Sequence, residues 1–579
     1  MTAPKTGLAP IGRGSGYVIA VAAAFVVLGA WHHVAFSHTV GELAFFKNAF
    51  DEDTYMLNLF GVVFARPDRL LSDAIAWILA SAFGSLNATL IALDAIMPPL
   101  IFLSAYYAAG ALFENVYTRV LYALLLVFAQ DMFSLGNEAA WPGPFPTLLD
   151  FQHFVGTSFV PSFETSFLTI NRSPEPQVAY AVGFALTGVV LRGFRAGTLT
   201  TSQRIGALLL QTGLVICYAL VSYPLIAIES AAGLILLLRR KAPLGLFLVV
   251  LAVVSLVAAA VSARLVIGPG TANPLTFPSR LPVVTVSVLA AVPAVLAFGL
   301  LAVLDPGHRD RFALAAAIAA TPLIVTNQQI VTGLMISARD WERYINLSLV
   351  VLAVGVGLSP FRWPQKLPGI VAIVAALAIA VFVTQTSRRS YGFWLRDNLK
   401  SLALGRAIAT AHPCPELPLV MDEPGYAPTI EVRLGHPINS LLNFTDGFRH
   451  PIPSTQAFVP TRLSAALFEY WRRRDVSEHD AEAILRREAA QHGGFYSAFL
   501  FNNCEYWAPC TDGRAVKTEK ILSQIPQVIS AYAGYHASDT PVAFVTFDKP
   551  TGTLLGSGTA GPFVASVFTS SATAAACPR

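Results

Sequence analysis

Apolar residues fall along this chain in blocks of about 20, the length a helix needs to cross the hydrocarbon of a bilayer, with short polar turns between them. The first block, Tyr17 to Phe36, lacks the small-residue cleavage site that a signal peptide requires, so it is expected to stay as a first span. A second block covers 86–113, and a third leads to a long polar loop at 135–177. The fourth ends at Arg192, Arg195 and Arg204. Blocks five and six read as a hairpin turning through Ser222, Tyr223 and Pro224 and ending at Arg239, Arg240 and Lys241. A seventh exits near Arg264, an eighth runs from Pro282 to Asp305–Arg311, and a ninth ends around Thr326. The tenth ends at Arg362 and Lys366, and the last covers 367–385. The pattern predicts a polytopic α-helical membrane protein of about eleven spans.

The pattern changes beyond 385. The runs Leu417 to Met421 and Val542 to Phe547 read as buried strands. Between them, Ser464 to Arg474 and Glu478 to His492 have helical spacing with charged outer faces. Residues 386–579 are therefore expected to form a separate α/β or α+β domain after a membrane domain at 1–385, whose main polar loops are 37–85 and 135–177. The Gly/Ser/Ala-rich end, Gly552 to Pro578, is expected to add little core, being poor in large side chains.

Composition agrees with lipid as the solvent. Hydrophobic residues make up 54% of the 579 and charged residues 13%, against roughly 25% charged in soluble domains; mean hydropathy is +0.58. The net charge of +4, dispersed between apolar blocks, argues against a nucleic-acid partner. Because lysine and arginine gather in short cytoplasmic loops, the basic turns orient the chain. Lys5 and Arg13 place the N-terminus in the cytoplasm, and an odd number of spans delivers the tail to the other side. Four of the five cysteines, Cys414, Cys504, Cys510 and Cys577, lie in that tail, where an oxidising compartment permits disulfides. Cys504 and Cys510 are the easiest pair to close; free thiols are the other reading of the spacing.

Candidate chemistry gathers in the loops expected outside. Asp51, Glu52 and Asp53 follow the first span, and neighbouring carboxylates can share the work of deprotonating a hydroxyl and holding a divalent cation. Arg172 stands in the segment Asn171 to Gln177, stiffened by two prolines; its planar fork suits a phosphate or a carboxylate, or it snorkels at a helix end. After the ninth span come Asn327 and Gln328, amides able to bond sugar hydroxyls, and then Arg339 and Arg343, which would share a helix face. The last group also reads as an interfacial belt anchored by Trp341 and Tyr344. Charge inside the spans is sparse: Asp94, Asp131 and Glu229. A Walker loop, a Gly-x-Ser-x-Gly elbow and a zinc-spaced His/Cys set do not occur in the sequence.

An acidic first outer loop at Asp51 to Asp53, about a dozen spans and a soluble outer domain together resemble the GT-C class of polytopic glycosyltransferases. The segment Asn327 to Gly333 also resembles an Asn-x-x-x-x-Thr-Gly stretch of bacterial membrane proteins without an assigned activity. The resemblance implies a bacterial inner-membrane enzyme with a periplasmic C-terminal domain. Such an enzyme moves a sugar from a polyprenyl-phosphate carrier to a lipid or glycan acceptor. It implies that one of Asp51, Glu52 and Asp53 is the catalytic base and that Arg172, Arg339 or Arg343 holds the lipid phosphate. The class leaves open whether Mg or Mn takes part. Other readings are a glycan polymerase or ligase, a transporter or flippase using Asp94 or Glu229, and a non-catalytic scaffold.

Overall fold

The computed structural model describes residues 15–40, 70–84, 86–133, 140–142, 168–173, 175–267, 276–278, 280, 282–336, 341–342, 344–411, 419–421, 468, 471–472, 474–490, 518–536, 543–547, 549–550 and 552–569. Of the expected site residues, Asp51, Glu52, Asp53, Arg339, Arg343, Cys504 and Cys510 lie outside this set.

Twelve long helices are described in the first two thirds of the chain. They are α1 (Ser15–Val40), α2 (Leu70–Phe83), α3 (Leu86–Ala109), α4 (Val116–Phe133), α5 (Gln177–Ala196) and α6 (Thr201–Val215). Then come α7 (Ala219–Leu238), α8 (Ala242–Ile267), α9 (Val286–Leu304), α10 (Arg309–Thr326), α11 (Asn346–Leu358) and α12 (Gly369–Ala411). Six of them, α3, α5, α7, α8, α9 and α12, are long and apolar enough to cross a membrane. The protein is thus a polytopic helical membrane protein. Its apolar side chains divide between a shared core, in which Phe25 of α1 stacks on Phe102 of α3 and Phe128 of α4, and faces left uncovered, such as Leu238, Leu300 and Leu377. Large exposed apolar faces on helices of this length are what hydrocarbon solvates.

Close approach depends on glycine at a few crossings. A Cβ on Gly29 would lie 1.7 Å from the Asp94 carbonyl oxygen, so α1 packs backbone to backbone on α3. The expected hairpin at Ser222 to Pro224 lies elsewhere. The turn falls at Ile216–Tyr218, and α7 continues through Pro224. Pro224 lies in the second turn, where its missing N–H leaves the Leu220 carbonyl without a helical partner; Trp341 Nε1 donates to that carbonyl at 3.1 Å instead, so the residue read as a breaker does not break.

Two short antiparallel ribbons tie the loops at one end of the bundle. β1 (Ala140–Pro142) pairs with β3 (Val283–Thr285), and β2 (Thr276–Pro278) with β4 (Leu334–Ile336). Segments far apart in sequence thus meet beside the start of α9.

The tail contains a four-stranded sheet in the order β5-β6-β8-β7. β5 (Leu419–Met421) and β6 (Ala543–Thr546) lie within the two expected strands and pair in parallel. β7 (Thr553–Ala560) and β8 (Phe563–Thr569) form an antiparallel hairpin with Gly561 at φ +54°, the glycine-favouring position of a two-residue loop. The small-residue end therefore contributes to a core, contrary to expectation. Its glycines are the reason: a Cβ on Gly556 would lie 2.5 Å from Ala411 N, and one on Gly558 2.3 Å from Ala407 N. With Ala403, Ala407 and Ala411 on the helix side, the last turns of α12 seat directly on the strand. Leu402, Ile408, Val545 and Val567 complete the core. α12 is continuous over 43 residues, from its apolar first half to this sheet.

Two further helices, α13 (Glu478–Ala490) and α14 (Thr518–Ala533), pack with Phe468, Trp471 and Tyr532, whose rings meet at 5.2–6.1 Å. Arg472 lies over the Tyr532 ring and donates to the Tyr532, Ala533 and Tyr535 carbonyls, capping the end of α14 with a cation.

Candidate functional site

Buried polar groups converge where α5 begins. The segment Asn171–Gln177, which the sequence offers as a proline-stiffened loop, is held in the bundle together with Leu168–Ile170 by three carboxylates. Asp131 of α4 accepts from Thr169 N at 3.0 Å and from Thr169 Oγ1 at 2.7 Å, holding the one-turn 3-10 helix Thr169–Asn171. Asp94 of α3 accepts from the Ser173 hydroxyl and, at 3.3 Å, from Gln177 Nε2. Glu175 in turn accepts from Ser72 of α2. Asp94, Asp131 and Glu175 are all at most 2% exposed. Charges so buried persist only when hydrogen-bonded, and each carboxylate holds one stretch of the loop. Removing one should therefore be felt as lost stability. Asp131→Ala strands the Thr169 N–H and hydroxyl, and is expected to lower stability by about 1–3 kcal/mol, read as an earlier thermal unfolding of the purified protein in detergent.

The anchored segment presents Arg172. Its guanidinium carbon lies 5.2 Å from the centroid of the Tyr344 ring, and its side chain is half-buried. Tyr344 is fixed from two sides: the Tyr180 hydroxyl donates to its carbonyl oxygen, and Tyr218 meets its ring edge-on at 6.0 Å. Directly below, Tyr180, Phe184, Val221, Leu225, Ile345 and Leu352 line a narrow cleft between α5, α7 and α11. Gly183 of α5 faces Leu225 across it. A cation thus stands beside an apolar slot, with an aromatic ring between them.

The remaining expected residues have structural partners. Asn327 pairs with the backbone of Val283, its Oδ1 accepting at 2.7 Å and its Nδ2 donating at 3.0 Å, and so extends the ribbon network. Gln328 Oε1 accepts from Thr332 Oγ1 at 2.7 Å on the surface. Contacts connect this segment to Arg172: Asn346 donates to Thr326 Oγ1 at 2.8 Å, and Tyr344 lies two residues before it. The structure thus gathers Arg172 and Asn327 at one end of the bundle.

Sequence reading passed over several residues here. Glu342 accepts from Ser287 N at 3.0 Å and from the Ser287 hydroxyl, placing a carboxylate on the first turn of α9, where the helix dipole favours it. Arg280 donates to the Ile330 and Val331 carbonyls at 2.8 and 3.3 Å, capping the short helix Gln329–Thr332. The sequence signal for Glu342 is a single carboxylate in a segment that reads as an interfacial belt; for Arg280 there is none. Among the described residues no group of three or more His, Cys, Asp and Glu side chains could hold a metal ion. No family model matches the sequence, and no curated protein matches it.

Proposed function

We propose that the protein is a glycosyltransferase that takes a sugar from a polyprenyl-phosphate carrier, acting where the bundle presents Arg172. The observation that carries this reading is the pairing of a guanidinium with an apolar slot. Arg172 suits the phosphate, because its fork forms two charge-assisted hydrogen bonds to such an anion. In this reading the isoprenoid tail follows the apolar side chains of α5, α7 and α11, between which the cleft now has room for about one water.

A sugar on a lipid phosphate is already activated, so base, anion clamp and acceptor pocket suffice. One of Asp51, Glu52 and Asp53, outside the described residues, is the base in this reading; Arg339 and Arg343 are further phosphate ligands, and Asn327 and Gln328 border the site. Whether a divalent cation joins them stays with the same assignment. Eleven spans, a cytoplasmic N-terminus and a periplasmic tail in the inner membrane complete it, supported by basic turns at Arg195, Arg239 and Arg311 on the end opposite Arg172.

The experiment is transfer of a radiolabelled sugar from polyprenyl phosphate by the purified full-length chain, with a cell-envelope extract as acceptor. Label should pass to lipid or glycan in the presence of wild-type protein. Labelled donor crossing protein-containing vesicles without transfer would replace the transferase with a flippase.

A further inference from the structure

At the end of the bundle opposite Arg172, four cations from three helices crowd together. Arg239, closing α7, pairs with Asp310 in the first turn of α10, and its guanidinium carbon lies 5.2 Å from the Phe194 ring of α5. These two contacts bring the neighbours in sequence, Arg195 and Arg311, to the same place. Arg195 and Arg239 both stand close enough to Arg311 to repel its charge. Lys241 joins them through Gly197: a Cβ there would lie 3.3 Å from the lysine Cε.

The opposing charge is small. Asp310 pairs with Arg239, and Glu114, with 76% of its side chain exposed, reaches Arg195 only at 3.4 Å. The guanidinium of Arg311 makes no hydrogen bond or ion pair among the described residues and is half-buried. Positive charge in cytoplasmic turns accounts for basic residues on this end; it does not account for three guanidinium groups within each other's electrostatic reach, one of them half-buried and without an ion pair among the described residues. Like charges held together are destabilising unless an anion bridges them. The surroundings indicate which anion. Leu238, immediately before Arg239, is 85% exposed, and Leu234 one turn further in is 56% exposed, so apolar surface runs away from the arginines along α7.

We infer that Arg195, Arg239 and Arg311 form a binding site for the phosphodiester headgroup of an anionic phospholipid, whose acyl chains lie along the exposed face of α7. The forks of the arginines supply directed donors to the phosphate oxygens, and Lys241 adds charge beside them. None of these residues takes part in the proposed sugar transfer; Arg195, Arg239 and Arg311 enter that reading only as the basic turns that orient the chain.

The test uses the full-length protein purified in detergent, with retained lipid counted by native mass spectrometry during titration with phosphatidylglycerol or phosphatidylcholine. Wild type should retain phosphatidylglycerol in preference to phosphatidylcholine. Arg311→Gln and Arg239→Gln should each reduce that preference about fivefold, the scale of one basic residue near an anionic surface. Equal preference in wild type and variants would overturn the site. Displacement of phosphatidylglycerol by millimolar inorganic phosphate would overturn the lipid assignment in favour of a site for free phosphate. A structural role is separated by melting: without anionic lipid, Arg311→Gln should unfold at or above the wild-type temperature, because a repulsion has been removed. An equal fall in melting temperature with and without the lipid would make Arg311 a structural residue and sink the inference.

Discussion

Arg172→Ala is expected to slow sugar transfer by about 10²–10³-fold, the range found when one group that stabilises developing charge is removed from an enzyme site. The effect on folding should be smaller than that of losing a loop anchor. One contact the change breaks is the guanidinium on the Tyr344 ring, worth about 0.5–1 kcal/mol at a partly exposed position, while Asp94, Asp131 and Glu175 hold the surrounding loop. The two magnitudes separate a phosphate clamp from a helix-end anchor. Arg172→Lys keeps the charge and loses the fork, so it should recover part of the rate. The measurement is initial rate with the labelled polyprenyl-phosphate donor, alongside a melting curve. A variant that melts several degrees lower yet transfers at the wild-type rate would remove Arg172 from the chemistry.

The second large effect is expected in the tail. Gly558→Val would put a branched side chain where even a Cβ lies 2.3 Å from Ala407 N and 2.7 Å from Ala403 O. Both obstacles are backbone, so no rotamer relieves the collision, and β7 must leave α12. Overpacking of this kind costs on the order of 3 kcal/mol or more. Ser557→Val is the control, one position along the strand with its side chain exposed; valine suits a strand and should be neutral there. Limited proteolysis reads the difference, with Gly558→Val cleaved in the tail under conditions that leave Ser557→Val intact. Equal resistance of the two variants would show that helix and strand do not pack as described.

Part of this architecture was legible in the sequence because it rests on periodicity. Apolar blocks of spanning length mark six helices, and the alternation around Leu419–Met421 and Ala543–Thr546 marks two strands. The β7–β8 hairpin escaped the same reading because its stability comes from small size, which composition scores as weakness. Gly556 and Gly558 add almost no apolar area themselves; they let the apolar area of α12 come close. The turn between α6 and α7 escaped because Pro224 reads as a breaker, and the donor that replaces its missing N–H at the Leu220 carbonyl, Trp341, lies over a hundred residues away.

The candidate site was less legible. Asp94 and Asp131 stand out in the sequence as rare charges near apolar blocks, and Arg172 as a cation in a stiffened loop. Nothing along the chain states that the first two hold the loop carrying the third. That relation needs α3, α4 and α5 to meet, a tertiary fact with no local periodicity. Asn327 shows the converse. Its amide suits a sugar hydroxyl, but both ends pair with the Val283 backbone, so a side chain of the right chemistry is engaged in joining loops.

The unbroken run of α12 has a mechanical consequence. Its distal half forms an arm of about 30 Å at 1.5 Å rise per residue, and the glycine seat fixes the sheet to the tip of that arm. A lean of the helix in the bilayer by about 6° would then carry the β7–β8 hairpin sideways by roughly 3 Å, so a spectroscopic label on the hairpin serves as a pointer to movements within the lipid.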